Sequence, residues 1–361
     1  MSNAQAFSPD YATARHRFRQ AASAAGWSLE VHPIGVAGPA GDELTIDVAC
    51  SPAHGSDKTL VVSSGVHGVE GFLGSAVQLG LLEAWVPPSA PPVRCVFLHG
   101  LNPFGFAWMR RVDEHNVDLN RNFLLPGERY ACSAQGYTDL DSLLNPQCPP
   151  SRWEPFTLKA LWTIARRGMP ALRRAVASGQ YDFPLGLFFG GTGPSRTQQL
   201  LAENLERWLR GSRDVVHLDF HTGLGPNGDY KLLVDYPLSA RQRTKLSDWF
   251  GPDSFQAPDS SAIAYDIRGG FGRWCVSRRL AEDYLFAYAE FGTYRPTRVL
   301  AGLRAENQAQ HWGMPAATST ARAKHRLKEL FCPSAEAWRS QVLDRSYDLV
   351  ARAVRGLAGD R

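Results

Sequence analysis

His67 and Glu70 stand in a His-Gly-Val-Glu turn just after the apolar run Leu60-Val61-Val62. His221 closes the stretch Val215-Val216-His217-Leu218-Asp219-Phe220-His221. Two imidazoles and one carboxylate are the three protein ligands of a catalytic zinc site, whose fourth coordination position stays open for water or substrate. These residue types therefore imply hydrolysis at one bound Zn2+ ion. His67 and Glu70 share one turn and can reach a single cation, whereas His221 must be delivered by a separate element. A surface His-Glu turn and a satisfied core histidine are the plain structural alternative, since short motifs discriminate loosely. His217 lies inside the apolar run and reads as structural.

The elements that must position these residues alternate between strand and helix. Ser8-Pro9 can start an amphipathic helix running to about Ala24, and the alternation Leu44-Thr45-Ile46-Asp47-Val48 suggests an early strand at an edge. Thr59 to Val66 reads as a buried strand, followed after Gly71 by a helix carrying Leu73, Val77, Leu81 and Leu82. Further strands are expected at Val93–Leu98, Val215–Phe220, Tyr230–Tyr236 and Tyr284–Phe291. Short apolar strands separated by helices imply an α/β fold with a mixed, mostly parallel sheet covered on both faces. Each proposed ligand then falls at the carboxyl end of a strand, where open α/β sheets place their ligand sites.

Composition bounds the function. Hydrophobic residues make up 44% and charged residues 20% of the 361 positions, which allows a large core and excludes global disorder. The net charge of +4 arises from 39 basic against 35 acidic residues without a basic block, which argues against a nucleic-acid partner. The N-terminus lacks a secretory layout and no stretch has the length of a membrane span, so a cytoplasmic protein with no membrane partner is expected. Six scattered cysteines argue against a disulfide scaffold or a thiolate zinc knuckle, and most are expected to be buried.

The pattern changes between about residues 124 and 200. Prolines and the glycine-rich run Gly186 to Gly193 bracket a helix-prone segment, Pro155 to Ser178, carrying Arg166, Arg167, Arg173 and Arg174. It reads as a helical insertion over the sheet of a single domain spanning residues 1–361, because the third ligand comes after it. The stretch from Pro296 reads as three helices punctuated by Pro315 and Pro333.

A third motif narrows the reading. Asn102-Pro103-Phe104-Gly105, the Arg110-Arg111 pair and Asp118-Leu119-Asn120-Arg121-Asn122-Phe123 resemble the M14 zinc carboxypeptidase superfamily. The order His-x-x-Glu, Asp-Leu-Asn-Arg, His before Thr-Gly and a late Glu is that family's order, matched over roughly residues 55 to 300. The chain is most similar to the DUF2817 branch, related to the succinylglutamate desuccinylase and aspartoacylase group.

This resemblance implies roles for further residues. Asp118 would accept a hydrogen bond from the non-ligating nitrogen of His67 and fix its ring. Asn120 and Arg121 would hold a substrate carboxylate, and Arg111, with Arg110 as a rival, would stabilise the oxyanion. Glu290 matches the late catalytic glutamate, and its place within the apolar run Leu285 to Phe291 itself calls for explanation, since an unpaired buried carboxylate is costly. An edge-strand glutamate facing solvent is the alternative there. An assisting tyrosine is open between Tyr265 and Tyr294. Together these imply an amide hydrolase acting on a small-molecule or peptide substrate with a free carboxylate, either a carboxypeptidase or an N-acyl amino acid deacylase. An inactive binding module on the same fold is the alternative. Specificity is expected to lie in the loops Gly186 to Ser195 and Ala262 to Arg273, and the chain carries no signal of oligomeric state.

Overall fold

Runs rich in Val, Leu and Phe become the interior of one eight-stranded sheet. The strands are β1 (Ser28–Ala37), β2 (Glu43–Cys50), β3 (Lys58–Ser64), β4 (Arg94–His99), β5 (Asp214–Asn227), β6 (Tyr230–Leu233), β7 (Phe255–Gln256) and β8 (Asp283–Gly292). A computed structural model describes residues 3–52, 55–86, 91–133, 136–151, 154, 156–167, 178–258 and 268–359. The spatial order is β1-β2-β4-β3-β5-β8-β6-β7. The centre, β4-β3-β5-β8, is parallel, and β1, β2 and β6 join antiparallel. This is the mixed, mostly parallel α/β sheet that the sequence implies.

Two sheet positions differ from expectation. The strand at Leu44–Val48 is interior, between β1 and β4, because β1 covers it as the true edge. Strand β1 escapes the sequence pattern because Pro33 and Gly35 interrupt it and none of its residues is fully buried. On β2, Thr45 and Asp47 are buried rather than solvated: Tyr11 and Arg19 reach over from the helix Tyr11–Ala24 to hydrogen-bond them. That helix starts at an Asp10 cap, whose carboxylate accepts from Thr13 N at 2.7 Å.

The helix Gly71–Ala84 is buried on nearly every side, as a helix wedged between sheet and outer helices must be. It lies so close to β3 that a Cβ on Gly74 would sit 2.4 Å from Ser64 Cβ. The last three helices, Pro296–Trp312, Thr318–Phe331 and Glu336–Ala358, break around Pro315 and Pro333. Within the segment expected to be a helical insertion, a helix spans Phe156–Arg167. Its anticipated continuation through residue 177 lies outside the described residues, as does Tyr265. All six cysteines are free; Cys95, Cys275 and Cys332 are buried, Cys50 is partly so, and Cys132 and Cys148 are exposed, fewer buried than expected. No helix among the described residues is long and apolar enough to cross a membrane.

The pleat of the central strands prepares the site. Along β5, Val216, Leu218 and Phe220 face one side while His217, Asp219 and His221 face the other. Register with β8 sets His217 beside Phe286, Asp219 beside Tyr288 and His221 beside Glu290. One face of the sheet thus carries a polar stripe through an apolar core, rising to the carboxyl ends of the strands.

Candidate metal centre

The chain leaves β3 through Gly65 and Val66 and turns at His67 into one turn of 3-10 helix, Gly68–Glu70. Two backbone hydrogen bonds pin this turn to the segment that carries the arginines: Gly68 N donates to Arg111 O and Val69 N to Arg110 O. Only glycine fits at position 68, because a Cβ there would lie 2.1 Å from the carbonyl carbon of Gly105.

Three donor atoms converge at the end of β3 and β5. His67 Nδ1 is 2.9 Å from Glu70 Oε1, His221 Nδ1 is 3.1 Å from Glu70 Oε2, and the two Nδ1 atoms are 3.2 Å apart. The rings stand nearly perpendicular, at 80°, with their centroids 4.9 Å apart. Bonds of about 2.0–2.1 Å directed to the corners of a tetrahedron leave neighbouring donors about 3.3 Å apart, close to the spacing found here. Thr222 N donates to Glu70 Oε2 at 3.0 Å and keeps the carboxylate in place. His67, Glu70 and His221 are all buried, and they form the cluster of donors able to hold a metal among the described residues.

Each imidazole has a carboxylate on its far nitrogen. His67 Nε2 is 3.1 Å from Asp118 Oδ1, and His221 Nε2 is 2.5 Å from Asp219 Oδ2. Such partners orient the rings and leave both Nδ1 atoms facing the point where a cation could sit. Asp118 was anticipated, but Asp219 was not; its signal was the Asp-x-His spacing on one face of a strand, hidden inside an apolar run.

Charge accounting also favours a cation. Glu70, Asp118, Asp219 and Glu290 are buried carboxylates, and the guanidiniums within the site are those of Arg111 and Arg121. Arg111 pairs with Glu70 and Asp118, while Asp219 and Glu290 have no arginine or lysine partner among the described ion pairs, so the site is rich in carboxylate for a cation to answer. Burial works against the Glu70 anion, yet the charges of His67 and Arg111 and the hydrogen bonds of both histidines hold its carboxyl well below the ordinary range. Burial likewise opposes the charge on Asp118, and Arg111 and His67 overcome it.

Arg111 is built into this centre. Its Nη1 donates to Glu70 Oε1 at 2.8 Å, its Nε donates to Asp118 Oδ2 at 3.1 Å, and Nη2 lies 2.7 Å from His67 Nε2. Arg110 points elsewhere: it is buried against Glu306 at 2.8 Å and Asn116 at 3.1 Å. Glu290 is 7% exposed and accepts from Leu224 N at 2.9 Å, so it does not face solvent from an edge. Burial and the neighbouring Glu70 push its carboxyl up to about 7.

Asn120 and Arg121 line the adjoining wall. Asn120 Oδ1 accepts from Phe271 N at 3.0 Å and from Tyr288 OH at 3.1 Å, which leaves its amide NH2 as the free donor. Arg121 donates from Nη1 to Asn120 O, but its buried Nε has no partner and no described carboxylate pairs with it. Tyr288, whose ring stands edge-on to His221 at 5.3 Å, is a residue the sequence did not single out. Tyr294 donates its hydroxyl to Glu329 Oε1 at 2.7 Å. The two loops expected to set specificity touch this wall. Phe189 O accepts from Asp118 N, Gly190 O and Gly193 O accept from Asn122 Nδ2, and Gly269 O accepts from Phe123 N. Residues 262–267 of the second loop lie outside the described residues.

The chain belongs to the family described as "Protein of unknown function (DUF2817)", which matches residues 7–345. No curated protein matches it. Among solved structures it is similar to carboxypeptidase A from Helicoverpa armigera, at 13% identity and TM-score 0.47, covering 88% of this chain and 73% of that one. It is also similar to murein-tripeptide amidase MpaA from Escherichia coli O157, at 18% identity and TM-score 0.40, covering 80% and 94%. A third is the succinylglutamate desuccinylase from Chromobacterium violaceum, at 15% identity and TM-score 0.39, covering 91% and 75%.

Proposed function

We propose that this protein is a zinc-dependent hydrolase that cleaves an amide or peptide bond in a substrate bearing a free carboxylate, as a carboxypeptidase or an N-acyl amino acid deacylase. The observation that carries this reading is the convergence of His67 Nδ1, His221 Nδ1 and the Glu70 carboxylate at about tetrahedral spacing, with a second carboxylate, Glu290, on the neighbouring strand position. His67, Glu70 and His221 would hold one Zn2+. When bound, zinc supplies a Lewis acid that polarises a carbonyl and lowers the pKa of water from about 15.7 to about 7.

The chain's own residues supply the rest. Glu290, poised near neutrality by burial, takes the proton of the attacking water and returns it to the leaving amine. Arg111 presents a fixed positive charge to the oxygen that becomes negative as the carbonyl is attacked. Arg121, with an unpartnered nitrogen in a buried wall, and Asn120, with a free amide donor, grip the substrate carboxylate. Asp118, 3.1 Å from the far nitrogen of His67, keeps that ring oriented.

The test is a panel of N-acyl amino acids and short peptides assayed with the purified protein before and after chelation. Hydrolysis should vanish with the chelator and return with added zinc. Hydrolysis that persists in the fully metal-depleted protein would overturn the reading.

A further inference from the structure

We propose that Asp219 is a positioning residue that fixes His221 for metal ligation, and that Ser63, His217 and Tyr284 hold Asp219 for this task through one buried chain of hydrogen bonds. The inference rests on the metal-binding reading above and extends it into the core.

The chain runs down the polar stripe of the sheet. His221 Nε2 meets Asp219 Oδ2 at 2.5 Å, and Asp219 Oδ1 accepts from Ser63 Oγ at 2.6 Å. Ser63 Oγ lies 2.7 Å from His217 Nε2, and His217 Nδ1 lies 3.0 Å from Tyr284 OH. Ser63 and Asp219 are register partners on β3 and β5, so the sheet itself sets their approach. Ser63, His217 and Asp219 have no exposure, and His221 and Tyr284 have almost none.

Proton positions along the chain are determined once His221 gives Nδ1 to a cation. Its remaining proton sits on Nε2 and is donated to Asp219. A carboxylate only accepts, so the single hydroxyl proton of Ser63 goes to Asp219 as well. Ser63 Oγ must then accept from His217 Nε2, and His217 Nδ1 must accept from the Tyr284 hydroxyl. His217 has to be neutral for this, and burial, which pushes it down to about 3, keeps it so. Every donor in the chain therefore points toward Asp219.

The two histidine ligands are served differently. Asp118, behind His67, is also paired with the Arg111 guanidinium at 3.1 Å. Asp219 has no arginine or lysine among the described ion pairs, and its partner is His221 alone. A buried carboxylate without a cation is sustained by hydrogen bonds, and here they arrive through Ser63. The sheet face thus spends three polar side chains on one carboxylate that touches a ligand, where apolar residues would have packed.

The experiment measures zinc affinity of the full chain by chelator competition, the visible spectrum of the cobalt-substituted protein, and the thermal midpoint of the metal-free protein. Asp219→Asn should weaken zinc binding about 10- to 100-fold, the usual loss for a ligand's hydrogen-bond partner. Ser63→Ala and Tyr284→Phe should weaken it by smaller, graded amounts with a shifted cobalt spectrum, and Ser63→Thr, which keeps the hydroxyl, should restore it. If Asp219→Asn and Ser63→Ala lower the thermal midpoint while affinity and spectrum match the parent, the chain is only a core network and the proposal fails. If the parent itself takes up no zinc, the metal reading fails first and this inference with it.

Discussion

At the scale of single residues, the proposed site has groups that hold and groups that react. Glu290 is the proposed reacting group: it is buried beside Glu70, its carboxyl is raised to about 7, and it is the register partner of His221 on β8 without being one of the converging donors. Glu290→Gln is expected to keep its metal content while kcat falls by about 10²- to 10⁴-fold, the span typical of a lost general base. A variant that keeps parental turnover would remove Glu290 from the mechanism. Arg121 is the proposed holding group. Arg121→Ala should lower kcat/KM by about 10- to 100-fold, as loss of a charged hydrogen bond worth about 1.5–3 kcal/mol predicts, with Arg121→Lys recovering part of it as a point charge. Kinetics on a carboxylate substrate and on its amide-capped analogue check this assignment: the variant should lose its discrimination between the two, and unchanged discrimination would count against it.

At the scale of elements, the site depends on strand ends and on one tight turn. Gly68 lets the His67–Glu70 turn lie against the backbone at Gly105, and an added methyl group would collide with that backbone at 2.1 Å. Gly68→Ala should therefore shift the turn, lower stability by about 1–3 kcal/mol and weaken metal uptake together. Urea denaturation and zinc content measured on the same sample check it; a variant as stable and as zinc-loaded as the parent would show that the turn is not tightly fitted. This scale also shows what was legible beforehand. The strand ends at His67 and His221 could be read because apolar runs stop there, and the three final helices because Pro315 and Pro333 separate them. Strand β1 could not, because Pro33 and Gly35 break its alternation at a half-exposed edge. Asp219 was masked by the valines and leucine around it, and only pairing with β3 reveals that its face of the strand is polar. Tyr288 was hidden for the same reason on β8, since its hydroxyl partners, Asn120 and Asp235, come from distant parts of the chain.

At the scale of the whole molecule, buried ionisable groups link stability to pH. His99, at the end of β4, stacks on Phe18 at 4.4 Å, meets Ser75 Oγ at 2.9 Å and is the register partner of Asp47 on β2. Burial pushes it down to about 4, the nearby charge of Asp47 opposes this and that of Arg19 assists it. Between about pH 6.5 and 4 the unfolded chain binds a proton there that the folded chain refuses, so stability falls as pH falls through that window. His99→Gln should flatten the fall by up to about 1.4 kcal/mol per pH unit relative to the parent. Urea midpoints at several pH values check it, and parallel curves for the two proteins would show that His99 is not the linked group.

The proposed function requires one zinc ion shared by the turn after β3 and the end of β5. Elemental analysis of the purified parent, His67→Ala and His221→Ala, each reloaded with zinc and desalted, tests it most directly. The parent should carry one zinc per chain and both variants essentially none, with folded structure retained by circular dichroism. Equal zinc in parent and variants would show that these histidines do not hold the ion.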